Sequence, residues 1–318
     1  MFLSTAMMMM MMTVTSCAGQ KTGVPVFESR DVLPQVKSST KYPTVTAHGM
    51  GDSCFNAGMK QITEIISTRT GQYGVCVPTG SNDITDTAYG FFLTMNKNVD
   101  VFAEKIRKDE KLANGFNCVG FSQGNSLCRG YIQKYNDPPV VNFLSVHGTV
   151  SGVAGFPNCN PDGLLGPVCK ELSHLCGDAS YTKLTQSLLF QINYYRDPMR
   201  VNTDAYKKYS ELAQWNNEGN TVNETYKTNF GKTKSFNMIK AEKDTMVFPN
   251  EGEWWGHYAD GSLTQVLSMK ETKWYKDDLF GLKTADEAGK IKFNTTSGNH
   301  LQFSQDELIW WVDNYFVE

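Results

Sequence analysis

Short apolar runs punctuated by glycine, proline and polar loops recur along the chain. Lys41–Ala47, Gly115–Val119, Val140–Val146, Ser235–Ala241 and Ile291–Thr295 each have the length and composition of a buried strand. Between them lie segments with helical spacing. Met59 to Ser67 is one, and Asn125 to Ile132 can open another directly after a strand. Ser304-Gln305-Asp306-Glu307 is a capping box that opens a last helix through Trp310 and Trp311, two tryptophans expected in the core. Strands alternating with helices predict a mainly parallel sheet with helices on both faces.

That rhythm breaks from about residue 151 to residue 234. Gly152 to Cys169 is rich in Gly, Pro, Asn and Cys, and helical-looking segments rich in Tyr, Leu and Asn follow. Because this block falls between two core strands, 151–234 is expected to be an inserted helical cap. No internal repeat is visible.

Composition narrows the class. The chain has 318 residues, 40% of them hydrophobic, and a net charge of −3. That is ample for one large core plus an insertion, and no basic excess points to nucleic acid. No internal stretch is long and apolar enough to span a bilayer. Met1 to Ala18 carries no charged side chain and ends in the small residues Ser16-Cys17-Ala18, so 1–18 reads as a secretory signal peptide and 19–318 as the mature domain. Of the eight cysteines, Cys17 would leave with the signal. The remaining number is odd, so at least one thiol is free. Cys118, on a presumed central strand, reads as a small buried hydrophobe. Cys159 and Cys169 bracket a Pro/Gly-rich loop and are the expected disulfide. Cys169, His174 and Cys176 lack the Cys-x-x-Cys pair of a metal site, and neither metal nor cofactor is expected. Asn223 and Asn294 begin Asn-x-Thr tripeptides and are candidate glycosylation sites.

The chemistry centres on Gly120-Phe121-Ser122-Gln123-Gly124, which joins an apolar strand to a helix start. Gly-x-Ser-x-Gly in that context is the nucleophile elbow of the α/β-hydrolase fold, where a strained turn holds the serine hydroxyl out at the sheet's edge. Such a serine needs a base, and the base needs an orienting acid, in the chain order serine, acid, histidine. Of His48, His147, His174, His257 and His300, only His300 lies in the expected place, after the last strand and before the terminal helix. Asp244 directly follows a strand end between Ser122 and His300, whereas Asp260, Asp277, Asp278 and Asp286 sit in polar, loop-like or helical surroundings. The glycine loop His48-Gly49-Met50-Gly51 ends the first strand. The backbone N–H groups of Met50 and Gln123 are the expected oxyanion donors.

With these pieces in order, the chain resembles the palmitoyl-protein thioesterases of the lysosomal type. The resemblance rests on His48-Gly49-Met50-Gly51-Asp52-Ser53-Cys54, Gly120–Gly124 and Gly298-Asn299-His300-Leu301-Gln302. Weaker support comes from Asn223–Lys227, Glu253-Trp254-Trp255-Gly256 and Leu279–Lys283. It implies Ser122 as nucleophile, Asp244 as orienting acid, His300 as base, a palmitate groove between core and insertion, and a disulfide between Cys159 and Cys169. Three departures stand out. A cysteine pair of the family is reduced to Cys54-Phe55, a second family disulfide is missing at the positions best placed at Ala103 and Tyr135, and Asn125 replaces a glycine after the elbow.

The expected reaction is removal of long-chain acyl groups from S-palmitoylated proteins, peptides or other acyl thioesters through an acyl-serine. Burying about fifteen methylenes at about 0.8 kcal/mol each offers on the order of 10 kcal/mol, enough to hold the lipid with few peptide contacts. A thiolate, with a pKa of about 8.5, also leaves readily. The rivals are a lipase or carboxylesterase on the same fold, and an inactive acyl-lipid-binding protein. The expected location is the lysosome or the outside of the cell, with at most transient contact with a membrane surface.

Overall fold

A computed structural model describes residues 23–28, 40–156, 175–177, 179–316 and 318. The signal segment 1–18, Cys159, Cys169 and His174 lie outside the described residues.

The strands in chain order are β1 (Thr44–Ala47), β2 (Gly74–Cys76), β3 (Phe116–Phe121), β4 (Val140–Val146), β5 (Ser235–Ala241), β6 (His257–Tyr258), β7 (Val266–Leu267) and β8 (Ile291–Thr296). Six of them form one sheet in the order β2-β1-β3-β4-β5-β8, and every neighbouring pair is parallel. β6 and β7 form a separate antiparallel pair. This is the expected α/β-hydrolase architecture. β2 and the small β6–β7 pair leave no signal in the sequence, because two or three residues are too few to show a period.

Period-two alternation sends the strand side chains into two cores. Phe116, Cys118, Phe143, Phe236 and Met238 enter one, and Val119, Phe121, Leu144, Val146 and Ile239 enter the other. Helices α1 (Ala57–Thr70), α2 (Asp83–Phe92), α3 (Met95–Lys108) and α4 (Gly124–Lys134) follow the first strands. In α3, Thr94 caps the start by accepting the Lys97 N–H, and Met95, Val99, Phe102 and Ile106 recur at helical spacing to cover the first core with α4. α1 and the last helix cover the other.

Between β4 and β5 the described residues hold four short helices, α5 (Phe190–Asn193), α6 (Asp204–Tyr209), α7 (Glu211–Trp215) and α8 (Glu224–Lys232). Tyr181, Ile192, Tyr195, Tyr206 and Ala213 form a third cluster there with Phe91 of α2. The buried Arg129 of α4 ties this region to the sheet. Its guanidinium lies 4.8 Å from the Phe280 ring and 5.1 Å from that of Trp255, and donates to Asn216 at 2.6 Å. Asn216 donates in turn to Glu218, which pairs with Arg196 at 2.7 Å.

After β5 come α9 (Lys273–Lys276), α10 (Leu282–Glu287) and α11 (Gln305–Tyr315). Ser304 and Glu307 form the capping box of α11. Only one of its two tryptophans is core: Trp311 is 1% exposed and Trp310 is 48% exposed. Adjacent helix positions are about 100° apart, so both rings cannot face the sheet.

Cys118 is a disulfide half-cystine, not the lone buried hydrophobe its strand position suggests. It is bonded to Cys128, with 6.1 Å between the Cα atoms, and joins β3 to α4 across the serine turn. β3 turns Cys118 toward the face that α4 covers, and α4 turns Cys128 back toward β3. A second disulfide, Cys54–Cys76, ties the loop after β1 to the end of β2. Cys176 is a free thiol. The Cys118–Cys128 bond closes a short loop, so the double variant C118A/C128A is expected to lose about 2–3 kcal/mol of unfolding free energy in urea titrations. Identical midpoints for the variant and the oxidised parent would contradict the bond.

Candidate active site

The sheet order dictates where a site can form. β1 lies between β2 and β3, so the chain leaves the carboxyl ends of β1 and β3 in opposite directions and opens a crevice there. The β1 loop carries Gly49 and Met50, and the β3 turn carries Ser122.

Ser122 has φ 52°, the left-handed region that a side-chain-bearing residue seldom occupies. The glycines beside it permit the approach of neighbouring backbone. A Cβ on Gly120 would lie 2.4 Å from Asn125 Oδ1, and one on Gly124 would lie 2.2 Å from the Ala47 carbonyl oxygen. Asn125, where the sequence departs from the family pattern, staples the turn. It is fully buried, and its Nδ2 donates to the Ser122 and Val146 carbonyls at 3.0 Å each.

His300 Nε2 lies 2.8 Å from Ser122 Oγ, and His300 Nδ1 lies 2.5 Å from Asp244 Oδ2. With Nδ1–H donating to the carboxylate, Nε2 is left to accept the serine proton. The Asp244 side chain is buried, and its other oxygen accepts the N–H groups of Met246 at 2.6 Å and Val247 at 2.8 Å. Burial works to raise its pKa, but His300 and these amides outweigh burial and hold it below the usual carboxylate value. The other acids weighed from sequence are engaged elsewhere: Asp260 with Arg196, Asp277 with Lys273, Asp278 with Lys227 and Asp286 with Lys270.

A cleft of about 320 Å³ opens beside Ser122, with Gly49, Met50, Met246, His300 and Leu301 in its lining. Neither the Met50 nor the Gln123 N–H donates to an acceptor among the described residues. The Gln123 side chain is locked: its Nε2 donates to the Gly90 carbonyl at 2.7 Å, and its Oε1 accepts from Gln191 at 2.7 Å and Tyr194 at 3.2 Å.

Two histidines set aside by chain order sit beside the site. His48 Nε2 lies 3.3 Å from Asp86 Oδ2. Burial opposes charging of His48, but Asp86 outweighs it and its pKa is raised. Asp86 also accepts the N–H groups of Cys54, Thr79 and Gly80, so one buried carboxylate ties the loop after β1 to the loop after β2. His147 Nδ1 accepts the Leu301 N–H at 2.8 Å and its Nε2 donates to Thr296 Oγ1 at 2.9 Å, which anchors the backbone next to His300. Sequence carries no signal for either contact beyond the presence of a histidine at a strand end. His257 is fully buried beside Trp274, away from the serine. Of the glycosylation candidates, Asn223 is exposed and caps α8, and Asn294 is half-buried on β8 with its Nδ2 donating to Tyr315.

Burial, with His300 adding a smaller push, lowers the His147 pKa to about 3. The unfolded chain would bind a proton there near pH 6.5 and the folded chain would not, so this stabilisation is complete above about 6.5 and is lost as pH falls towards 3. Between pH 7 and pH 5 the loss is expected to be about 2 kcal/mol, and H147Q is expected to remove that part of the pH dependence in denaturant titrations at the two pH values. Equal pH dependence in both proteins would contradict the neutral, buried imidazole.

A family model described as palmitoyl protein thioesterase matches residues 43–300. Palmitoyl-protein thioesterase 1 of Caenorhabditis elegans is 36% identical over 279 residues, covering 86% of this chain and 92% of that one. Lysosomal thioesterase PPT2-B of Xenopus laevis is 27% identical over 186 residues, covering 58% of this chain and 62% of that one. Among solved structures, an extracellular α/β-hydrolase from a Paenibacillus species is similar with a TM-score of 0.40 and 11% identity, covering 85% of this chain and 96% of that one.

Proposed function

The chain belongs to the palmitoyl protein thioesterase family, and we propose that it hydrolyses long-chain acyl thioesters, palmitoyl groups on cysteines of proteins or peptides above all. The observation that carries this reading is the hydrogen-bonded chain Ser122–His300–Asp244 at the mouth of the cleft. Ser122 Oγ attacks the thioester carbonyl while His300 Nε2 takes its proton, and Asp244 stabilises the resulting imidazolium. The N–H groups of Met50 and Gln123 meet the oxyanion, an interaction whose loss typically costs about 100- to 1,000-fold in kcat. The cysteine thiolate departs with little need of an acid. The imidazolium then gives up its proton to the departed thiolate, and His300, neutral again, takes a proton from water as it attacks the acyl-serine and returns that proton to Ser122 Oγ as the fatty acid leaves.

Residues 151–234 form a cap over the site in this reading, with the acyl chain lying between cap and core. A secretory route to the lysosome is supported by the leader-like start of the sequence, by the name of the Xenopus laevis relative, and by Cys54–Cys76 and Cys118–Cys128, since disulfides persist in oxidising compartments. Glycans on Asn223 and Asn294 belong to the same proposal. No helix among the described residues is long and apolar enough to cross a membrane, and contact with acylated substrates at a membrane surface would be transient.

A fluorophosphonate probe is expected to label the protein and to fail on Ser122→Ala. The parent is expected to cleave a palmitoyl thioester with higher kcat/KM than the matching oxygen ester. Labelling that survives the substitution would remove Ser122 as nucleophile, and preference for the oxygen ester would favour a lipase.

A further inference from the structure

Behind Asp244 lies a second carboxyl group that the mechanism above does not use. Glu253 sits on a short 3-10 turn, Asn250–Trp254, inside the Glu-Trp-Trp-Gly stretch. It is 0% exposed. Its Oε2 accepts the Ala241 N–H at 3.0 Å, at the end of β5. Its Oε1, also buried, accepts no hydrogen bond from any donor among the described residues. Asp244 lies in the same turn, its own N–H donating to the Ala241 carbonyl at 3.2 Å, and its carboxylate is close enough to Glu253 for its charge and a side-chain hydrogen bond to raise the Glu253 pKa.

We propose that Glu253 is a positioning residue: a neutral carboxyl group that donates its proton to the Asp244 carboxylate and holds that acid against His300. The inference rests on the reading of Ser122, His300 and Asp244 as the catalytic set. Two buried carboxyl groups in contact cannot both ionise at neutral pH, so one keeps a proton. The surroundings decide which. Asp244 already accepts from the His300 ring and two backbone amides, all of which favour its charged form. Glu253 accepts from one amide. The cation near it, Lys240, is paired with Glu251 at 3.2 Å and lies over the Trp254 ring. Burial first, and the Asp244 charge second, push the Glu253 pKa well above the usual carboxylate value.

A neutral donor in this position does two things. It stabilises the Asp244 anion, so that the proton of the imidazolium stays on His300 during acylation. It also fixes the plane of the carboxylate that orients the ring, without adding a second negative charge beside it.

The test uses E253Q, which keeps a neutral donor, and E253L, which fills similar space with none. E253L is expected to lose about tenfold or more in kcat on a palmitoyl thioester with KM little changed, and E253Q to recover to within about threefold of the parent. The acid limb of kcat/KM against pH is expected to coincide in E253Q and the parent. Infrared spectra at neutral pH are expected to show a protonated-carboxyl C=O stretch in the parent that is missing in E253Q, a readout that needs no turnover. An acid limb displaced to lower pH in E253Q would mean that Glu253 is charged and would overturn the proposal. So would E253Q being as slow as E253L, or absence of the infrared band. S122A separates the two readings: it is expected to abolish turnover and keep the band, whereas turnover surviving in S122A defeats the catalytic set and leaves the state of Glu253 to be read from the spectrum.

Discussion

The left-handed backbone at Ser122 is the constraint on which the rest of the molecule depends. A serine with φ 52° at the end of β3 points its hydroxyl out of the sheet instead of into either core. That conformation costs on the order of 1–3 kcal/mol, so it persists only where the surroundings enforce it. Here the enforcement is steric and polar together. Gly120 and Gly124 leave no room for a Cβ, which lets α4 start against the β1 loop. The Asn125 amide holds the Ser122 carbonyl from within. The parallel order of β1 and β3 then brings the glycine loop up to the hydroxyl.

The same logic extends outwards as a shell of buried polar side chains. Asp86, Gln123, Asn125 and His147 are all at most 3% exposed, and each makes at least one hydrogen bond to a backbone group of a neighbouring segment. A buried polar group left unpaired costs about 1–3 kcal/mol, so each contact selects one loop geometry over the alternatives. Precision at the site therefore comes from groups outside the reacting set. Leu301 and His147, with φ of 53° and 48°, add two more left-handed residues within that shell.

How much of this was legible in the sequence follows from what each signal encodes. Continuous apolar runs between turns placed β4 and β5 to the residue, because strands buried on both faces need no other signal. Ser122, Asp244 and His300 could be chosen because chain order and strand ends restrict the candidates, and the three side chains meet in the structure. Contacts between distant segments left no such trace. Cys118 looked like a strand hydrophobe because its partner lies across the turn in α4. Asn125 looked like a departure from pattern, although its amide does work that a glycine cannot. His48, His147 and Glu253 have roles set by three-dimensional neighbours 38, 154 and 12 positions away. Trp310 was misplaced because a capping box locates a helix start and says nothing about its rotation.

The claim beneath all of this is that the hydroxyl held out by the β3–α4 turn carries the acyl group between the two half-reactions. Mixing the protein with a palmitoyl thioester, quenching in acid within the first turnover and mapping peptides by mass spectrometry tests it directly. The account requires a palmitoyl adduct on the peptide containing Ser122, formed before free fatty acid is released. Thioester cleavage with no adduct at that residue, or with the acyl group on a different side chain, would contradict it.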